Sequence, residues 1–314
     1  MSRRKVRLFF CLLSVAIVVV HKSHRSPVLV AATPLVLDQA APPRLHSYIV
    51  TGAPLIVRWP SAADVFYRAG RPYPTALPKP YVDPAFELQM LRLRSAILAS
   101  AERHNRQAVT GLRDDEFAVL LAAQLYFEYN STLATRGTLG RVVTPVYQEA
   151  QGVANAIGMG NFSVWPANLR PSVAASLLRA EMPYINALDR PTTRQIPLTI
   201  HGSRLQPLIE AKRWASWQPS DSAVAAEIAQ PELAVEYLAA NFEVASYRAQ
   251  FDWAPITWMT FAAWHNQGLV SPAHIAGNGQ LAQVLSTIET YLPAAMHLIN
   301  VPPPPRFTGE PLEQ

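Results

Sequence analysis

Proline sets the outer limits of what this chain can fold into. It has no backbone N–H and its ring clashes with the preceding helical turn, so it interrupts helices from within. Of 28 prolines in 314 residues, a dense set falls between Ser26 and Pro84, including Pro42, Pro43, Pro72, Pro74, Pro78 and Pro80. A second run, Pro302–Pro305, lies near the end. Residues 33–84 therefore read as an extended arm, interrupted by the β-rich patches Tyr48–Thr51 and Leu55–Trp59, with one hairpin suggested around Gly52-Ala53-Pro54. Residues 301–314 read as a polyproline stop and a polar tail.

Between these ends the pattern is helical. Apolar periodicity predicts helices over Ala85–His104, Asp114 to about Asn130, Pro145–Ile157, Pro171–Ala180, Ser222–Gln250, Thr257–Asn266 and Gln280–Leu298. Pro84 opens the first, and Asp114-Asp115-Glu116 supplies acid to the first turn of the second, where the helix dipole favours it. No alternation of strands and crossover helices appears, nor any internal repeat. The expected fold is mostly α, one helical domain over residues 85–300. With 50% apolar and 16% charged residues, a chain of this length buries a core without metals or disulfides.

The charge is a property of the leader. Six of the 27 basic residues lie in the first 25 positions, ahead of the first acid, Asp38, which leaves 21 bases against 22 acids in the body. A neutral body with four lysines in the whole chain gives no electrostatic footprint for nucleic acid. The basic Ser2–Arg7, the thirteen apolar or small residues Leu8–Val20 and the polar flank that follows have the order of an export signal. Thirteen is short of the about 20 needed to span a bilayer. Residues 1–32 are thus expected to be a signal peptide or a short membrane anchor. The body is expected to be exported, secreted or held to the membrane by this segment alone. The single cysteine, Cys11, falls inside it, so the body has no disulfide and no cysteine ligand or nucleophile.

Most catalytic signatures are absent: there is no phosphate loop and no G-x-S-x-G elbow. No histidines stand at H-x-x-x-H spacing on a helix, and His46, His104, His201 and His297 read as surface or satisfied core residues. Glu128 is different. At 3.6 residues per turn Phe117, Leu121, Leu125 and Glu128 share one face, so the carboxyl continues an apolar stripe at the negative end of its helix. Burial and dipole both raise its pKa. A carboxylic acid still protonated near neutral pH can protonate a glycosidic oxygen. The plainer alternative is a terminal Glu reaching water.

The stretch Asn161-Phe162-Ser163-Val164-Trp165-Pro166-Ala167-Asn168-Leu169-Arg170-Pro171-Ser172-Val173-Ala174 resembles the Gly-Leu-Met-Gln-Ile-x-Pro-x-Thr-Ala signature of lytic transglycosylases and goose-type lysozymes. Asn168-Leu169-Arg170-Pro171 stands for the Gln-Ile-x-Pro, and Val173-Ala174 for the Thr-Ala that opens the next helix. In that family a helix ending in a catalytic Glu comes before this segment, as Glu128 does here. Later, Pro231–Leu238 is similar to the family's helix ending in Tyr-Leu. Ala263-Trp264-His265-Asn266-Gln267-Gly268 is similar to its Ala-x-Tyr-Asn-x-Gly turn. The likeness covers roughly residues 114–270 and lies chiefly in the order of short motifs. The chain departs from the pattern where Trp165 replaces the motif glycine, Asn168 the Gln and His265 the Tyr. Residues 134–160 form an insertion.

The resemblance implies a lysozyme-like helical domain that cleaves peptidoglycan or a related glycan, with Glu128 as catalytic acid/base. Tyr129 and Trp165 offer flat faces for sugar rings, and Asn168, His265 and Asn266 offer hydrogen bonds to acetamido and hydroxyl groups. No cofactor is implied, and activity is expected to need no metal. The motif elements contribute no second carboxylate, which a water-using glycosidase generally requires. Glu149 falls in the insertion and Asp252 precedes the third motif. The expected reaction is therefore that of a lytic transglycosylase, giving 1,6-anhydro ends. The alternatives are a non-catalytic module of the same fold that binds cell-wall glycan or a partner protein, and a helical scaffold using its Pro-rich ends. Asn130-Ser131-Thr132 and Asn161-Phe162-Ser163 also match glycosylation sequons.

Overall fold

A computed structural model describes residues 62–63, 70, 72, 74, 80–135, 150–155, 161–185, 190–212, 216–252, 256–269 and 278–300. The leader, nearly all of the Pro-rich arm with its suggested hairpin, the tail and most of the 134–160 insertion lie outside these residues. Among the described residues the protein is mostly helical. In chain order the elements are α1 Pro84–His104, α2 Gln107–Thr110, α3 Asp114–Thr135, α4 Pro171–Leu178, β1 Glu181–Ile185, β2 Pro191–Gln195, α5 Leu205–Ala211, α6 Asp221–Ile228, α7 Pro231–Phe251, α8 Trp258–Gln267 and α9 Gly279–Ile299. Residues 150–155 are also helical. None of the described helices is long and apolar enough to cross a membrane.

The helix starts follow from capping chemistry. Asp83 caps α1 by accepting hydrogen bonds from the backbone N–H of Ala85 and Phe86 at 3.0 and 3.1 Å, and Pro84 takes the first helical position, where no N–H is missed. Glu116 reaches back to the Arg113 N–H at 2.7 Å, half of a capping box at the head of α3. Asn278 caps α9 through Gln280 N–H at 3.1 Å.

Helix α3 is the centre of the packing. Every residue from Glu116 to Phe127 is buried, so the helix is enclosed all round and takes neighbours on several sides, with α1 and α9 packed along it. Phe117 meets Phe242 of α7 and Phe261 of α8 edge-on, with centroids 6.0 and 5.6 Å away, and Tyr126 stacks on Tyr291 of α9 at 6.2 Å. Helix α7 lies against α1 and also touches α8, α4 and β1.

Two expectations are corrected. The single helix expected over Ser222–Gln250 is two, α6 and α7. Pro231 has no N–H to continue the ladder, and Gln230 before it is extended (φ −77°, ψ 124°). The sequence also gave no warning of the antiparallel hairpin β1–β2, paired from Glu181↔Gln195 to Ile185↔Pro191. A proline in each strand hides it. The strand is tied to α7 instead, where Arg248 donates to the Pro183 carbonyl at 2.7 Å.

Candidate active site

Glu128 lies at the floor of a cleft of about 530 Å³. Because α3 runs on to Thr135, it stands about two turns before the helix end, not in the last turn where the sequence placed it, so burial and not the helix dipole acts on its carboxyl. The cleft is walled by the Ser163–Arg170 loop, by α4, by the first residues of β1, by Asn241 and Val244 of α7, and by the end of α8. Three segments far apart in sequence thus converge: Glu128, Asn168 and Asn266 line one cavity, together with His265. Glu128 is 8% exposed. Its burial follows less from the stripe of Phe117, Leu121 and Leu125 than from α3 being enclosed on all sides.

The loop carrying Asn168 is tightly built. Val164 and Leu169 form an isolated antiparallel bridge, with Val164 N–H donating to Leu169 C=O at 2.7 Å, and the Trp165–Pro166 peptide is cis. Asn168 closes this turn at φ 54°, a left-handed conformation that Asn tolerates better than most residues. On its outer side Asn161 accepts from Ser172 N–H at 2.9 Å and donates to the Ser172 hydroxyl at 2.7 Å. Asn155 exchanges two hydrogen bonds with the Phe162 backbone, at 2.8 and 2.9 Å.

Two amides hold the carboxyl. Asn168 Nδ2 donates to Glu128 Oε2 and Gln124 Nε2 to Oε1, each at 2.7 Å. Burial raises the Glu128 pKa to about 7, against the two amide hydrogen bonds, which favour the carboxylate. The Gln124 Oε1 is buried and has no hydrogen-bond partner among the described residues. Rotating that amide by half a turn would present its oxygen to a protonated Glu128, so one side chain suits both states of the acid.

His265 faces inward. Burial holds its pKa down to about 4, against a hydrogen bond to Ala167 C=O, so the ring is neutral. Asn241 Nδ2 lies 3.2 Å from Nδ1, which makes Nδ1 the acceptor and places the proton on Nε2. That N–H points to Ala167 C=O at 3.1 Å and lies 3.5 Å from Glu128 Oε1. Both ring nitrogens are thus engaged with protein. His265 braces the Asn168 loop; it is not the open hydrogen-bonding group expected from the sequence. Asn266, by contrast, is exposed on the cleft wall.

Tyr129 and Trp165, expected as sugar platforms, do not line the cleft. They pack with the core: Tyr129 stacks on Phe86 at 3.9 Å, and Trp165 meets Tyr129 edge-on at 4.4 Å. Helix α1 supplies the partner that sequence spacing could not show. The sequon asparagines have structural duties as well. Asn130 is fully buried, accepting from Asp83 N–H at 2.8 Å and donating to Tyr126 C=O at 2.9 Å, and Asn161 is spent on Ser172.

The cleft contains groups that no motif indicated. Asn241 stands on an apolar stretch of α7, where a lone amide is the available signal. Glu181 comes from the unforeseen hairpin and is paired with Arg179 at 2.9 Å. Among the described residues no three His, Cys, Asp or Glu side chains gather as metal ligands would. The arrangement can give and retake one proton at Glu128, beside a polar cavity of the size that holds small ligands, roughly 300–1,000 Å³. No protein-family model, no curated protein and no solved structure matches this chain.

Proposed function

We propose that this protein is an exported lytic transglycosylase of lysozyme-like fold acting on peptidoglycan or a related glycan, with Glu128 as its single acid/base. The observation that supports this reading most is the Glu128 carboxyl itself: buried, gripped by two neutral amides at 2.7 Å, and balanced between its two protonation states near neutral pH. The protonated acid gives its proton to the glycosidic oxygen as the C1–O bond breaks. The resulting carboxylate then removes the proton of the same sugar's 6-hydroxyl, whose oxygen closes on C1. Glu128 is protonated again at the end, and no water is consumed. The tethered hydroxyl supplies the proximity that a free nucleophile lacks.

A second reading has one observation in its favour. Glu181 lines the same cleft, and a hydrolase could use it as the base that activates water. Its pairing with Arg179 argues for a fixed structural carboxylate instead. The products separate the mechanisms. Digested peptidoglycan analysed by mass spectrometry should contain 1,6-anhydro-muramic ends, and Glu128→Gln should lower cleavage by about 10²–10⁴-fold while remaining folded. Hydrated reducing ends alone would reject the transglycosylase mechanism. Binding without cleavage by the unaltered protein would leave a non-catalytic glycan-binding module.

A further inference from the structure

Two cavities meet at one ion pair. Arg179 follows α4 and Glu181 begins β1, and their side chains are joined at 2.9 to 3.0 Å. Glu181 walls the Glu128 cleft on one side and a second cavity, of about 330 Å³, on the other. The Arg179 guanidinium reaches both: Nη2 donates to Ser176 of the cleft at 3.3 Å, Nε to Glu181 at 3.0 Å, and Nη1 to Gln218 of the second cavity at 3.1 Å. The pair is thus a hydrogen-bonded ridge between two hollows.

The second hollow has its own chemistry. Trp217 is half-buried on its wall, with Lys212 Nζ 4.9 Å from the ring centroid. Gln195, Ser216 and Gln218 add neutral polar groups around it. Two of the charged groups on its lining, Arg179 and Glu181, neutralise each other. An indole with amides and a hydroxyl beside it suits a neutral ring that is apolar on its faces and polar at its edge. A pyranose is such a ring.

We propose that the Trp217 cavity is a distal glycan subsite. A glycan held at Glu128 runs over the Arg179–Glu181 ridge and lays a later sugar on Trp217. This rests on the glycan reading of the Glu128 cleft and extends it from one cleavage point to a chain-length preference.

Calorimetric titration of the full chain carrying Glu128→Gln, with the trimer and the hexamer of β-1,4-linked N-acetylglucosamine, tests it. The hexamer should bind at least tenfold more tightly than the trimer. Adding Trp217→Ala should remove that gain and leave trimer affinity unchanged, whereas Trp217→Phe should keep most of it. Gln218→Trp, which fills the hollow from an exposed position, should remove the gain without deleting Trp217, and covers the case in which Trp217→Ala does not fold. Equal affinity for the two oligomers, or a hexamer advantage that survives both Trp217→Ala and Gln218→Trp, overturns the subsite while the cleft reading stands. Failure of both oligomers to bind the Glu128→Gln protein overturns the glycan reading and the subsite with it.

Discussion

Two buried carboxylates, Glu128 on α3 and Glu236 on α7, are driven to opposite states. Their exposures are similar, 8% and 2%. Burial opposes ionisation at both, but Glu236 is met by cations. His104 lies 2.9 Å from Oε1, Arg103 donates to Oε2 at 2.6 Å, and the Ser100 hydroxyl and His201 N–H donate at 2.6 and 2.9 Å. These contacts bring its pKa down to about 2 in spite of burial. His104 is raised in turn: burial lowers it, but Glu236 and Glu243, at 2.9 and 2.7 Å, outweigh that. Among the described residues Glu128 is met only by amides and a neutral imidazole. Hydrogen bonds alone do not offset desolvation, whereas hydrogen bonds from charged donors do. One carboxylate is therefore an anchor between α1 and α7, and the other is a reservoir for a proton.

The largest effect that would break this contrast is expected at the anchor. Glu236→Ala leaves His104 and Arg103 without their shared anion and should destabilise the fold by about 3–5 kcal/mol in denaturant titrations. A loss under about 1 kcal/mol, the level of a surface pair, would show that the network is solvated.

The next effect lies in pH. A Glu128 raised from 4.5 to about 7 makes the fold progressively less stable as pH rises through that interval, on the order of 3 kcal/mol in all. Its contribution levels off above the folded value. Glu236 acts in reverse: its stabilisation is complete above 4.5 and is lost as pH falls toward 2. His104, raised above 6.5, adds its own loss only at pH values beyond 6.5. His265, held down to about 4, opposes Glu128 in this window: its neutral buried ring gains stability as pH rises toward 6.5. The two nearly cancel, so Glu128→Gln should make thermal stability climb with pH between 4.5 and 6.5. An unchanged slope would mean that the carboxyl ionises freely.

A smaller effect sharpens the picture at the cleft. Asn168→Ala removes a donor that favours the carboxylate, so Glu128 should keep its proton to higher pH. The alkaline limb of the activity profile should then move upward by roughly one pH unit or less, matching a hydrogen bond of about 1 kcal/mol. A downward movement would mean that Asn168 serves the protonated acid instead.

The sequence made the long helices readable because their starts are chemically marked, by Pro84 for α1 and by three successive acids for α3. It joined α6 to α7 because the apolar pattern runs on through Pro231. It missed β1 and β2 because strands carrying Pro183 and Pro191 violate every local strand preference and are held by tertiary contacts. At the site, the order of motifs brought Glu128, Asn168 and Asn266 to one cleft. The roles of the neighbouring rings were not readable, since whether Tyr129 faces a ligand or Phe86 depends on where α1 packs. Nor could spacing show that His104, alone in its segment, lies between two carboxylates from a helix about 130 residues later.

One consequence follows from the backbone at Asn168. Its left-handed φ of 54° and its amide bond to Glu128 vest the shape of a loop and the poise of an acid in a single residue. Glycine would satisfy the turn and abandon the amide; glutamine would keep an amide but sit less easily in that backbone and reach one methylene farther. Few single substitutions at this position can preserve both, so the site has a narrow mutational neighbourhood here. The asparagine that departs from the glutamine of the resembling motif is the amide-bearing residue best matched to this turn.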